Sequence, residues 1–498
     1  MSALTLIRSR MTPALAAFVG SLLLSVVAIE FDPILGRDSA LYVDIAHKAV
    51  RDGYQATFSQ FDWPWFSMLI GTVHRVTGIP LIASALILNA LLMASTCAAL
   101  TRASVRLQPA SGWWACLVVL SIPAYNEYRA AVLREPGFWL FLSLALNFGL
   151  AMASDQLHKV GRGVASALAV GLAALFRLEA VFFLAAVALC LSATKRKPAP
   201  GGRAAMVGIL LCGILFAIAV ALIFNIEQPR ISGYAQLLSP DALWSKFLTD
   251  SQKLADNVLE KYSENQSPVI LAGGYLAAIV LDALVIAGPF ALLLFVRRAQ
   301  LRDLAPGTLR LIFSSAIMYL GILLVFFIQH NFMISRYVAT LHLLITPLMA
   351  VLMWDWARGH PRVAKVFVVI AVLTALSNVV SLSAKRTHYT EAAHWFIEHS
   401  SPNDRIFFDD PRLSFYSQRG YQNGVRGEDP EATFADYDLL ALEDVSPGDP
   451  IHHSAAQAGF KRIENFSNGD GRNVVIYHRI QNAIIERSSV PEATKRNP

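Results

Sequence analysis

The heptapeptide Gly36-Arg37-Asp38-Ser39-Ala40-Leu41-Tyr42 follows directly on the first long apolar run, from about Pro13 to Ile29. It places an ionisable carboxylate, Asp38, at the edge of a membrane span, where proton transfer can reach both a lipid-borne and a water-borne reactant. Asp38 also precedes a helix-like pattern over Ser39–Val50, with Leu41, Ile45 and Ala49 on one face, so N-capping explains it as readily as chemistry does. Three more clusters set charge against apolar sequence. They are Tyr125-Asn126-Glu127-Tyr128-Arg129 with Arg134-Glu135-Pro136-Gly137, then Leu175-Phe176-Arg177-Leu178-Glu179, and His330-Asn331-Phe332-Met333-Ile334-Ser335-Arg336-Tyr337. Charge in lipid is expensive and normally faces a cavity or a partner.

Each cluster has a purely structural reading beside the chemical one. Glu135 opens a helix, where the dipole favours an acid, and Glu127 competes with it as the second functional carboxylate. Arg177 and Glu179 stand two residues apart, which on a continuous helix points them in nearly opposite directions, so Asp282 is the expected partner if Arg177 only closes an internal ion pair. Arg336 opens a late span, where it either binds an anion or snorkels to headgroups.

The elements that must carry these residues are membrane helices. With 498 residues, 55% of them hydrophobic and 16% charged, and a mean hydropathy of +0.47, the chain has more apolar surface than a soluble core uses. It reads as a polytopic α-helical membrane protein. About eleven segments approach spanning length, near 12–30, 81–101, 112–124, 136–153, 163–177, 179–194, 204–225, 269–296, 311–328, 338–356 and 365–384. The first lacks an A-x-A-like cleavage site and reads as a retained helix.

Basic residues recur at every second connection: Arg8 and Arg10; Arg102 and Arg106; Lys159 and Arg162; Lys195, Arg196, Lys197 and Arg203; Arg297, Arg298, Arg302 and Arg310; Arg358, Arg362 and Lys365. The positive-inside rule then predicts a cytoplasmic N-terminus and an extracytoplasmic tail. The net charge of +6 is spread over these clusters instead of forming one basic face, which argues against a nucleic-acid partner. Cys97, Cys116, Cys190 and Cys212 all lie in apolar segments and offer neither a disulfide framework nor metal-ligand spacing.

Two regions are expected: a transmembrane module over 1–384, including a first outer loop at 31–64 with juxtamembrane helices, and an α/β domain over 385–498. In the tail, Thr390 is placed to cap a helix through Trp395 to His399, followed by strands at Arg405–Phe408 and Asn473–Tyr477 around the turn Asn468-Gly469-Asp470-Gly471. Asp436-Tyr437-Asp438 reads as a solvated turn, and His394 and His399 do not share a helix face as zinc ligands would. Gly273-Gly274 inside an apolar run suggests close helix packing.

Taken with Tyr42, the break at Gly53, the segment Trp63-Pro64-Trp65-Phe66-Ser67-Met68-Leu69-Ile70-Gly71, and Gly78, the first loop resembles the lipid-dependent glycosyltransferases of the GT-C fold. That group contains the aminoarabinose transferase of lipid A and the protein O-mannosyltransferases. Its members carry an acid or an Asp-Glu pair here, then a small residue and Tyr; in this chain Ser39 stands in place of the second acid and Asp38 keeps the matching position. Arg177-Leu178-Glu179 and Arg336-Tyr337 also look like the family's pattern, as do Trp395-Phe396-Ile397, Asp404-Arg405-Ile406 and Tyr416 in the tail.

The resemblance implies inverting transfer of a sugar from a polyprenyl-phosphate donor to a hydroxyl or amine of a glycolipid, polysaccharide or protein, at the periplasmic face of a bacterial inner membrane. Asp38 would remove the acceptor's proton, Glu135 would orient substrate, and Arg336 with Arg177 would stabilise the departing phosphate. Tyr42, Glu127, Arg134, His330 and Tyr337 complete the implied substrate-binding set. No resident cofactor is implied, and a divalent cation is compatible with the scheme. Two other classes compete: a transporter or flippase for lipid-linked sugars, which predicts charges at the midplane and paired interrupted helices, and a non-catalytic scaffold.

Overall fold

The computed structural model describes residues 11–154, 159–192, 239–295, 303–381, 383–422, 433–444 and 450–480, together with 301 and 424. The chain divides into two units, one of Met1–Phe31 with Ile45–Ser381 and one of Asp32–Asp44 with Leu382–Pro498. The second therefore draws a segment from before most of the spans, which a single cut near residue 384 would miss.

Among the described residues, seven helices are long and apolar enough to cross a membrane. Six of them are α1 (Pro13–Phe31), α4 (Leu81–Leu107), α6 (Glu135–Ser154), α11 (Pro306–His330), α12 (Ser335–Gly359) and α13 (Pro361–Val379). The seventh is α10 (Ser267–Ala287), preceded by α9 (Pro240–Val258) and extended by a 3₁₀ turn through Phe295. Shorter apolar helices are α5 (Gly112–Ser121), α7 (Lys159–Phe176) and α8 (Phe182–Ser192). These account for ten of the eleven expected segments; the one near 204–225 lies outside the described residues. The chain is a multi-pass α-helical membrane protein.

Helix α12 is the inner member of the bundle, packed on α4, α5, α10 and α11. Its buried face carries small and apolar residues, among them Ala339, Leu343, Thr346 and Ala350. Helix packing in lipid rests on such close van der Waals contact, since lipid tails supply no hydrophobic drive between helices. Gly273 and Gly274 do not follow this pattern: both are exposed, and among the described residues nothing lies within 4 Å of where a β-carbon would sit on either. They face away from the bundle, contrary to the close packing expected of them.

Between α1 and α4 run α2 (Arg37–Asp52) and α3 (Trp65–Thr77). Helix α2 starts two residues earlier than its apolar pattern suggests, with the Ala40 amide bonded to Gly36 O at 2.9 Å. Asp38 thus lies inside the first turn and is not the N-cap. Helix α3 ends at Gly78, whose φ of 73° suits glycine in the left-handed region.

The second unit holds a four-stranded sheet of order β1-β2-β4-β3, from β1 (Ile406–Phe408), β2 (Leu439–Asp444), β3 (Phe460–Ser467) and β4 (Asn473–Arg479). Strands β1 and β2 are parallel, and the other two pairings are antiparallel. Alternation along β2 sends Leu439 and Ala441 to one core with Tyr389, Phe396 and Ile476, and Leu440 and Leu442 to the other with Phe407, Phe434 and Val475. Helices α14 (His388–His399) and α16 (Pro450–Gln457) supply residues to these two cores, and α15 (Pro411–Tyr416) follows β1.

Helix α14 begins ahead of Thr390, whose hydroxyl donates back to Thr387 O at 2.8 Å. Thr390 is therefore inside the helix, and Thr387 takes the cap position. Asp438 is a brace within its turn, accepting the Arg405 amide at 2.9 Å.

Candidate functional site

The end of α7 creates the central geometry of the first unit. Arg177 donates its amide to Ala173 O at 2.9 Å as the last helical bond, and then adopts an extended conformation with φ −144° and ψ 118°. Two features hold this break. Trp63 Nε1 donates to Ala174 O at 3.1 Å, satisfying a carbonyl that the broken helix leaves without an amide. Phe176 sits against the start of α6, where Gly137 has no side chain to oppose it.

The break also turns Arg177 and Glu179 to the same side. Arg177 Nε bonds Glu179 Oε1, and Arg177 Nη1 donates to Glu135 Oε1 at 3.0 Å. This overturns the helical argument that kept residues 177 and 179 apart, and it makes Glu135 and Glu179 the partners in place of Asp282. Arg336 Nε, from the first turn of α12, lies 3.6 Å from the same Glu135 Oε1. Tyr337 presents its ring to both cations, at 4.4 Å from Arg177 Cζ and 5.3 Å from Arg336 Cζ. Two guanidiniums and two carboxylates from α6, the α7 break and α12 thus form one electroneutral constellation. Its members differ in access: the Arg336 side chain is 17% exposed, against 9% for Arg177 and 3% for Glu135.

A second layer adjoins it. The Tyr128 hydroxyl is 2.5 Å from Ser335 Oγ, which lies 3.5 Å from Glu127 Oε2. Burial pushes the Tyr128 phenol up to about 12, so it remains a neutral hydroxyl at physiological pH. Glu127 is exposed and Glu135 buried, so the two acids that compete in the sequence occupy different environments. Ser335 and Tyr128 were not singled out by sequence reasoning, although both stand inside the polar motifs. Arg129 was also passed over: it is fully buried, with Nε on Asn126 Oδ1 at 2.7 Å and Nη1 on Ser21 Oγ at 2.8 Å.

Arg134 is placed with its guanidinium 5.8 Å from the Phe61 ring. His330 is exposed at the end of α11 and packs on Phe326 at 4.5 Å, while Phe326 meets Tyr337 at 4.9 Å. His330 joins the constellation through an aromatic neighbour and, among the described residues, makes no ion pair with it. Asp38 and Tyr42 belong to the second unit, Asp38 partly exposed and Tyr42 buried. Among the described residues no three of His, Cys, Asp and Glu gather closely enough to hold a metal ion.

Comparison with solved structures gives the fold. An oligosaccharyltransferase from Archaeoglobus fulgidus matches over 93% of this chain and 74% of its own, with a TM-score of 0.51 at 10% identity. The chain adopts the GT-C fold. Other GT-C glycosyltransferases are similar at lower scores. ArnT from Cupriavidus metallidurans has a TM-score of 0.44 and 13% identity, covering 92% of this chain and 97% of its own. The arabinofuranosyltransferase AftD from Mycobacteria has a TM-score of 0.49 and 14% identity, with 93% of this chain matching 39% of AftD. No protein-family model and no curated protein sequence matches the chain. Within this bundle, the Arg177–Glu135–Arg336 constellation gathers charges from three separate elements.

Proposed function

We propose that the protein transfers a sugar from a polyprenyl-phosphate donor to an envelope acceptor, a glycolipid, polysaccharide or protein, at the periplasmic face of a bacterial inner membrane. The observation that carries this reading is the Arg177–Glu135–Arg336 constellation in a membrane fold shared with an oligosaccharyltransferase. As the bond from the anomeric carbon to the phosphate oxygen breaks, the phosphate leaves with the electron pair and its charge grows. A fixed cation in a water-poor site stabilises that charge without reorganisation, an effect typically worth about 10²–10³ in rate.

Arg336 is the more accessible guanidinium and binds the phosphate. Arg177, held by two carboxylates, keeps Glu135 and Tyr337 in place and adds its field. Glu135 orients substrate. Asp38 accepts the proton of the acceptor hydroxyl or amine as that atom attacks the anomeric carbon opposite the departing phosphate, which inverts the configuration.

The test is transfer of radiolabel from purified polyprenyl-phosphate-linked pentoses and hexoses to envelope acceptors by the wild type, Asp38→Asn and Arg336→Met. Loss of transfer in both variants, with an inverted product from the wild type, supports the scheme. Undiminished transfer by Asp38→Asn removes that residue from the mechanism. Absence of transfer from every donor by the wild type favours a transporter.

A further inference from the structure

Arg37, immediately before Asp38, is gripped by two carboxylates from distant parts of its own unit. Its Nε donates to Asp410 Oδ2 at 2.7 Å and its Nη2 to Glu443 Oε2 at 3.3 Å. Neither acid is free to follow it. Asp410 is fully buried and accepts the Arg412 amide, Nε and Nη2, each at 2.8 Å. Glu443 Oε1 accepts the Tyr389 hydroxyl at 2.5 Å, and Tyr389 in turn bonds Arg412 Nη2. Asp410 caps α15 and Glu443 lies near the end of β2, so the grip is anchored to the sheet and its helix.

Stability alone does not account for this arrangement. The Arg37 side chain is 57% exposed, and exposed ion pairs contribute little. Arg37 is also the first residue of α2, where the helix dipole disfavours a cation. What the contacts do is fix backbone. Leu35 N–H donates to the Tyr416 hydroxyl at 2.8 Å, Arg37 is held at its guanidinium, and the Ala40 amide closes on Gly36 O at 2.9 Å. Asp38 lies between these fixed points.

We propose that Arg37 is a positioning residue, whose clamp by Asp410 and Glu443 sets the first turn of α2 and thereby the direction of the Asp38 carboxylate. The inference rests on the reading of Asp38 as the base. It adds a role for the extramembrane sheet, which orients the residue that handles the proton.

The test compares full-length Arg37→Gln, Arg37→Lys, Glu443→Gln and the Arg37→Gln/Glu443→Gln double variant with Asp38→Asn, in one transfer assay and by hydrogen exchange. Arg37→Gln is expected to lower kcat by about 10–100-fold with KM for the donor within about twofold, Arg37→Lys to fall between, and the double variant to be no worse than Arg37→Gln, as groups acting as one unit behave. Exchange of the peptide over residues 35–42 should speed up about tenfold in Arg37→Gln, while peptides from β2 and β4 keep their protection. Unchanged exchange overturns the clamp, and faster exchange with unchanged kcat overturns its positioning role. Wild-type transfer by Asp38→Asn would instead overturn the base assignment, leaving the exchange result to decide the clamp separately.

Discussion

The Phe176 ring occupies the space that a β-carbon on Gly137 would fill. The contact couples the start of α6, which carries Glu135, to the break in α7, which carries Arg177. Gly137→Ala must therefore push Phe176 away and move the turn that aims Arg177. Overpacking of this kind costs about 1–3 kcal/mol. We expect a lower melting temperature and at least tenfold weaker transfer, with partial recovery in Gly137→Ala/Phe176→Leu. Wild-type melting and transfer in Gly137→Ala would show that the contact is easily relieved.

Arg177→Met leaves Glu135 and Glu179 with no guanidinium between them. Removing one partner of a buried ion pair costs about 3–5 kcal/mol where the remaining charge is left uncompensated; here that falls mainly on Glu179, since Arg336 Nε still stands 3.6 Å from Glu135 Oε1. Arg177→Met/Glu179→Gln should recover part of that loss in denaturation measured in detergent, without recovering transfer. A double variant no more stable than Arg177→Met would contradict the pairing.

The tail domain should weaken in acid in two stages. His388 is fully buried, and neither ring nitrogen has a hydrogen-bond partner among the described residues. Burial first, then the positive charge of Arg412, brings its pKa down to about 4 from an ordinary 6.5, against the opposing charges of Glu391 and Asp410. Above pH 6.5 both folded and unfolded chains hold it neutral. As the pH falls towards 4 the unfolded chain takes up a proton that the folded chain refuses, so stability drops. Asp410 acts lower: burial would raise its pKa, but the hydrogen bonds and charge of Arg412, with those of Arg37, outweigh burial and hold it below the ordinary 3.8. Its contribution is present above pH 3.8 and disappears as pH falls through the folded value. Urea unfolding followed by Trp395 fluorescence should show both stages, and His388→Phe should abolish the first. A profile unchanged by that substitution would place the titration elsewhere.

Trp63→Phe keeps the aromatic packing and removes the bond to the Ala174 carbonyl. A buried carbonyl left without a donor costs about 1–3 kcal/mol. The variant should melt lower and lose transfer in proportion to its effect on the α7 break, which hydrogen exchange at residues 174–181 would report. Unaltered exchange there would mean that the Trp63 bond does not hold the break.

The spans were legible because hydropathy needs no knowledge of partners: ten of eleven segments appear where apolar runs lie. The polar clusters were legible as charge in the wrong solvent. Which charges pair was not, since the contact between Arg177 and Glu179 depends on a break set by Gly137, Phe176 and Trp63, far apart in sequence. Strand β2 escaped notice for another reason. Its Leu439-Leu440-Ala441-Leu442 is buried on both faces, so it lacks the alternation that marks a half-buried strand. The roles of Arg37 and Ser335 likewise needed partners hundreds of residues away.

The composition of the tail domain has a consequence for biogenesis. Arg37 leaves the ribosome 373 residues before Asp410, with most of the membrane helices between them. At roughly 5–20 residues per second, about 20–75 s separate the synthesis of the two partners. During that interval the Asp38 turn has no clamp. A nascent chain is thus expected to insert its helices well before this turn gains its final form, which delays the ordering of Asp38 until synthesis has reached the sheet.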